Sequence, residues 1–202
     1  MTDITDAKRR LRIEAMAKRD SFEIDDRLEW DQAIAEHALE HTALAAIAGP
    51  IAGYWPIRSE ADTRPILVGL SERGIATALP VVAREGDGPG RLAFRAWTPW
   101  QPIVPGGFGT LIPLDSAGTV MPAALLVPLL AFDAHGYRLG YGKGYYDRAI
   151  ASLIAQGPLL TIGIAYAGQQ VDHVPREAHD QPLDAIMTQD GAVSLMRPDR
   201  DF

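Results

Sequence analysis

The sequence predicts an α/β layered fold in which helices flank a largely parallel sheet and two further helices come first. Three observations predict it. Short apolar or β-prone runs bounded by Gly, Pro, Asp or Ser recur from residue 51 onward. Stretches with helical apolar spacing lie between several of them. Strands alternating with helices are the pattern of a sheet covered by helical layers. At 202 residues and 47% apolar content the chain can bury one sizeable core and is too short for two full domains to be the default, so one domain over residues 1–202 is expected.

Residues 6–20 and about 25–48 read as the two leading helices. Ser21 to Asp26 supplies turn and N-cap residue types between them, and Gly49-Pro50 ends the second. The expected strands are Ile51 to Trp55, Ile75 to Val82, Leu92 to Trp97, Ala123 to Val127, Leu159 to Tyr166 and Ala185 to Thr188. Helical patterns fill Thr63 to Arg73 and Tyr145 to Gln156, the latter stopped by Gly157-Pro158. The Pro/Gly-rich stretch from Thr98 to Pro113 reads as an ordered loop that either lines a site or merely connects. Ligands in such sheets bind beyond the carboxyl ends of the strands.

Composition narrows the chemistry. No apolar run approaches the roughly 18 residues of a spanning helix, and the N-terminus is charged rather than apolar. A soluble cytoplasmic protein without a membrane partner is expected. The absence of cysteine excludes disulfides, thiolate zinc and a cysteine nucleophile. The net charge of −7 speaks against a nucleic-acid surface, although residues 1–20 carry six Lys or Arg against four Asp or Glu. That local cluster suits a small polyanion such as a nucleotide.

The most informative segment runs from Phe132 to Asp147, FDAHGYRLGYGKGYYD, between an apolar strand and a helix start. Glycines at 140, 142 and 144 permit positive φ and close backbone approach, and free N–H groups at a helix start favour phosphate oxygens. Lys143 adds a charge among them. The segment is not a Walker A loop, because Tyr137 and Gly144 stand where Gly and Ser/Thr are needed, nor does it match GxGxxG. Two readings stay open on the residues alone: a phosphate cradle, or a tight strand-to-helix turn with a solvated lysine.

The run Phe132-Asp133, Arg138-Leu139-Gly140 and Gly142-Lys143-Gly144-Tyr145-Tyr146-Asp147 closely resembles the signature of 5-formyltetrahydrofolate cyclo-ligases. The resemblance extends to Lys8-x-x-x-Arg12, to Tyr54 through Thr63 with Glu60, and to Val174-Pro175 through Asp180 and Asp184. It implies a Rossmann-like fold and the conversion of 5-formyltetrahydrofolate to 5,10-methenyltetrahydrofolate with ATP as co-substrate and Mg²⁺, the partners being small molecules. Lys8 and Arg12, about 40° apart on one helix with Arg19 between them, resemble the family's ATP-binding pair. Arg138, Leu139, Gly140, Tyr141, Gly142, Lys143, Gly144, Tyr145 and Tyr146 complete that nucleotide site. Trp55, Glu60, Tyr141, Gly142, Lys143, Gly144 and Tyr145 resemble the folate contacts, and Lys143, Tyr145 and Glu60 the catalytic set. Asp147 and Asp180 match the magnesium-site aspartates.

Each residue also has a plainer reading. Lys8 and Arg12 suit a solvated helix face, Asp147 suits the dipole of a helix start, and Trp55 either packs on the pterin or aryl part of folate or belongs to the core. Tyr141 stands where some relatives carry arginine, and its ring replaces that charge by stacking or hydrogen bonding. His37-Ala-Leu-Glu40-His41 fits the HxxEH zinc pattern, but no third ligand can be singled out and solvated histidines on a helix face explain it better. The alternatives to a cyclo-ligase are another ATP-dependent kinase or ligase for a small acid, or an idle binding module. A monomer or weak homo-oligomer is expected.

Overall fold

Alternating apolar residues decide which helix covers which face of the sheet. The computed structural model describes residues 3–83 and 90–196. Five strands run parallel, β1 (Ile51–Ala52), β2 (Thr77–Ala83), β7 (Ala124–Pro128), β10 (Leu160–Ile164) and β11 (Ala185–Thr188). Antiparallel β3 (Arg91–Ala96) and β6 (Thr119–Val120) extend one edge and β12 (Gly191–Ala192) the other, giving the order β12-β11-β10-β7-β1-β2-β3-β6. Ile51, Leu79, Ala124, Leu126 and Ile162 point to one face, where α2 (Ile24–Glu40) and α4 (Arg64–Glu72) supply Ile34, Ala38, Ile66, Leu67 and Leu70. Their neighbours Ala52, Ala78, Leu125 and Val127 point to the other face, against Ala149 and Ile150 of α5 (Tyr145–Ile154). The period of two in a strand makes this division automatic.

Local chemistry sets the element ends. Thr63 Oγ1 donates to the Tyr54 carbonyl at 2.6 Å and fixes the chain after β1. Pro65 opens α4, and Gly74, at φ 76°, closes it. The second leading helix is shorter than expected: it stops at Glu40, His41 is extended, and a separate turn, α3 (Thr42–Ala45), follows. Strand β1 also spans only two of the five residues expected of it.

Two hairpins were not anticipated. Within the supposed loop, β4 (Ile103–Pro105) pairs with β5 (Leu111–Pro113) around a Gly107–Gly109 turn in which Phe108 has φ 61°. Beyond β7, β8 (Ala131–Phe132) pairs with β9 (Arg138–Leu139). The buried Asp133 organises that hairpin, accepting the backbone N–H groups of His135 and Tyr137 on one oxygen and of Val174 on the other. The first helix, α1 (Ile4–Asp20), packs Ala15 against this hairpin, in a cluster with Leu130, Ala131, Leu139 and Val174. Among the described residues no helix is long and apolar enough to cross a membrane.

Candidate active site

Numbered among themselves, the parallel strands run 2-1-3-4-5, so the crossover direction reverses between β1 and β7. A crevice opens outside the carboxyl ends of strands at such a reversal. Here it is a cavity of about 560 Å³, walled by the chain after β1, the chain after β7, α1, the β4–β5 hairpin and the 177–180 segment. That volume is in the range of small-molecule sites. Every residue that the family resemblance implied for nucleotide, folate or metal lines it, from Lys8 and Arg12 through Trp55, Glu60 and Arg138 to Asp147 and Asp180.

The glycine segment forms a turn leading into α5. Gly142 has φ 90° and Gly144 φ 63°, whereas Gly140 has no positive φ, so the freedom expected at three glycines is used at two. No side chain caps α5, which leaves the N–H groups of its first turn open at the cavity wall. Arg12 donates from Nε to the Gly140 carbonyl at 2.9 Å, and a Cβ on Gly142 would stand 3.1 Å from its Cζ. The guanidinium therefore packs on the turn rather than in solvent.

Lys8 is also buried, 7% exposed, and donates to Glu177 Oε2 at 2.8 Å and Asp180 Oδ2 at 2.5 Å. Burial opposes its charge, but those two carboxylates outweigh it and raise the Lys8 pKa. Asp180 shifts the other way: burial works against its charge, and Lys8 with the Glu177 N–H holds it below the ordinary carboxylate value. Asp147 pairs with Arg138 Nη2 at 2.9 Å and accepts the Gln181 N–H at 3.2 Å. Burial pulls the Arg138 guanidinium below its usual value in spite of that partner. Glu177, His179 and Asp180 offer ligand atoms within 4.8 Å of one another, the sole such group among the described residues. The His37-to-His41 pattern is not part of it, and His37 Nε2 instead lies 3.1 Å from the Gln189 carbonyl.

The opposite wall is apolar. Trp55 meets Trp97 edge-on with centroids 6.2 Å apart, carries the Arg64 guanidinium 5.1 Å over its ring, and packs on the core while lining the cavity. The core reading of this tryptophan holds, and its ring also faces the cavity. Phe108 comes within 6.1 Å of Tyr145, ring to ring. Glu60 is 7% exposed, with Oε2 accepting the Ile57 N–H at 2.9 Å. Burial raises its pKa, against the lowering effects of that N–H, Arg19, Tyr141 and Arg58. The Tyr146 hydroxyl is buried without a partner among the described residues, and Glu60 and Arg138 act on it electrostatically.

Glu177 and Phe108 also line the cavity without having been named from the sequence. Glu177 stands three residues before Asp180, a readable carboxylate spacing, and Phe108 lies in the Pro/Gly-rich stretch, where no single residue stands out.

A family model described as the 5-formyltetrahydrofolate cyclo-ligase family matches residues 4–189. The 5-formyltetrahydrofolate cyclo-ligase of Haemophilus influenzae is 29% identical over 187 residues, covering 91% of this chain and 98% of its own. That of Escherichia coli is 31% identical over 146 residues, 70% of this chain and 79% of its own. Among solved structures, Aquifex aeolicus 5,10-methenyltetrahydrofolate synthetase superposes with a TM-score of 0.76 at 28% identity, over 96% of this chain and 95% of that one. The Mycoplasma pneumoniae synthetase gives 0.70 at 27% identity, over 90% and 98%.

Proposed function

The chain belongs to the 5-formyltetrahydrofolate cyclo-ligase family, and we propose that its cavity converts 5-formyltetrahydrofolate to 5,10-methenyltetrahydrofolate with ATP, releasing ADP and phosphate. One observation carries this reading: a positive-φ glycine turn opening an uncapped helix faces the same cavity as a buried carboxylate and an aromatic wall. The first half suits phosphate oxygens, and the second suits a flat heteroaromatic ring bearing N–H donors.

Closing a formamide onto a neighbouring aryl amine expels the formyl oxygen. Hydroxide is a poor leaving group, since water is a far weaker acid than phosphate, whose second pKa is about 6. Transfer of the γ-phosphoryl group to the formyl oxygen converts one into the other. The N10 amine then adds to the activated carbon and releases its proton, and phosphate departs with the original oxygen.

Lys143 and the amides of the 142–146 turn hold negative charge on the transferring group, while Arg12, Arg138 and Lys8 hold the remaining phosphates. Glu60, Trp55 and Tyr145 orient the folate so that the formyl oxygen meets the γ-phosphate. Asp180 has its ligand atoms close to those of Glu177 and His179, while Asp147 lines the same cavity outside that group; the carboxylates are hard oxygen donors, which would suit Mg²⁺. When bound there, Mg²⁺ neutralises charge on the phosphates.

The experiment is turnover with 5-formyltetrahydrofolate, ATP and Mg²⁺, following the methenyl chromophore and ADP together. Equal amounts of both are expected. In Lys143→Ala, turnover at saturating ATP should fall by about 10²–10³-fold, the scale of losing one preorganised charge partner in a transition state. ADP without methenyl product, or an unimpaired Lys143→Ala, contradicts the reading.

A further inference from the structure

The turn from Ile57 to Glu60 holds a cation where backbone geometry argues against one. The Glu60 N–H donates to the Ile57 carbonyl at 3.1 Å, and Glu60 Oε2 accepts the Ile57 N–H at 2.9 Å, so the turn is closed from both ends. Arg58, its second residue, has φ 55°. Positive φ at that position marks the turn types that favour glycine, asparagine or aspartate, and a long side chain there is strained. Such strain persists where the surroundings over-determine it. Here they do: Ser59 Oγ accepts from the buried Arg19 Nε at 3.0 Å and donates to Asp20 Oδ1, which pins the turn to the end of α1.

The turn sends its two charged side chains to different places. Glu60 is buried, whereas Arg58 is exposed and lines the cavity. No carboxylate pairs with Arg58 among the described residues, and its Nη1 lies 3.2 Å from Met16 Sδ, a weak acceptor. Five lysines and arginines line the cavity among the described residues. Lys8, Arg12, Arg138 and Lys143 serve the phosphates in the reading above, and Lys8 and Arg138 are already paired with acids. Arg58 is left over, and it stands on the same loop as Trp55 and Glu60, the proposed folate contacts.

We propose that Arg58 is a specificity-determining residue that binds the carboxylates of the substrate's glutamyl tail. This rests on the reading of the cavity as a folate site and extends it to the end of folate opposite the pterin. That end carries two carboxylates and approaches a chain of net charge −7, so it needs a local cation to offset repulsion. A guanidinium fork meets a carboxylate with two parallel N–H···O bonds. A turn whose strain is already held by its neighbours presents that fork without further ordering cost.

Steady-state turnover with two substrates tests this: 5-formyltetrahydrofolate and its bis-carboxamide, in which both tail carboxylates are neutral. For the wild type the KM of the diamide should be about tenfold higher, the scale of one hydrogen-bonded charge pair. Arg58→Gly should raise the KM of the acid about tenfold, to that of the diamide, and leave the KM of the diamide unchanged. The kcat and the KM for ATP should stay at wild-type values, since a tail contact is equal in ground and transition states. Arg58→Lys should restore part of the difference. Glycine takes left-handed backbone freely, so Arg58→Gly should melt at or above the wild type; if it loosens the turn, Arg58→Gln decides in its place. A KM for ATP that rises together with that of the acid assigns the guanidinium to phosphate and overturns the proposal. So does an equal loss on both substrates, the mark of a merely structural role, or an unchanged KM for the acid. Wild-type protein that turns over no 5-formyltetrahydrofolate at all sinks the folate reading beneath, and the tail site falls with it.

Discussion

At the scale of single residues, the cavity wall sets some polar groups against stability. The Tyr146 oxygen is the clearest case, buried, unpartnered among the described residues and flanked electrostatically by Glu60 and Arg138. A buried polar atom without a partner costs about 1–3 kcal/mol, so it persists where a ligand completes it. Tyr146→Phe should therefore raise unfolding free energy by about 1 kcal/mol while lowering kcat/KM. Urea denaturation and turnover on the same preparation check both signs, and a variant that is less stable or fully active contradicts the assignment. The carboxylates show the opposite economy. Asp147 and Asp180 are neutralised by Arg138 and Lys8, so the groups proposed for metal and for phosphate hold one another in place.

At the scale of elements, the glycine turn separates backbone demands that the sequence presents as equal. Gly142 combines φ 90° with Arg12 3.1 Å from a would-be Cβ, while at Gly140 a Cβ meets nothing within 4 Å. Gly142→Ala should lose about 1–2 kcal/mol of stability, the cost of left-handed backbone for an L-residue, and raise the KM for ATP as Arg12 is displaced. Gly140→Ala should match the wild type in thermal melting. Equal melting of both variants would mean that the turn is not held by this geometry. The same contrast marks what was legible in the sequence. The strands of the parallel sheet and the helices α4 and α5 announce themselves because apolar period and Gly or Pro boundaries are local properties. The β4–β5 and β8–β9 hairpins do not, since strands of two or three residues owe their pairing to tertiary contacts, such as Asp133 reaching the Val174 N–H. Trp55 was readable as either core or contact because it packs on the core and lines the cavity as well.

At the scale of the whole molecule, motif resemblance picked out residues that line one cavity, while their mutual placement came only from topology. The turn after β9, the loop after β1 and the 177–180 segment converge because β1 and β7 lie at the reversal of strand order. Helix α1 joins them through Lys8, whose partners are 169 and 172 residues away in sequence. A ligand spanning these parts ties together segments that are far apart in sequence. Its binding free energy adds to folding stability by linkage, about 2.7 kcal/mol at a hundredfold excess over Kd. For a chain of this size that is a rise in Tm of roughly 5–10 °C. Thermal melting with saturating ATP and Mg²⁺ should show this shift, and EDTA should remove most of it, because on the proposed reading the phosphates would then meet the cavity's carboxylates with no cation to offset the charge. In Asp147→Asn the shift with ATP and Mg²⁺ should fall toward the EDTA value, since one hard ligand is lost. If Mg²⁺ adds equally to wild type and Asp147→Asn, the metal binds elsewhere, and Asp147 serves only to hold Arg138 beside the phosphates.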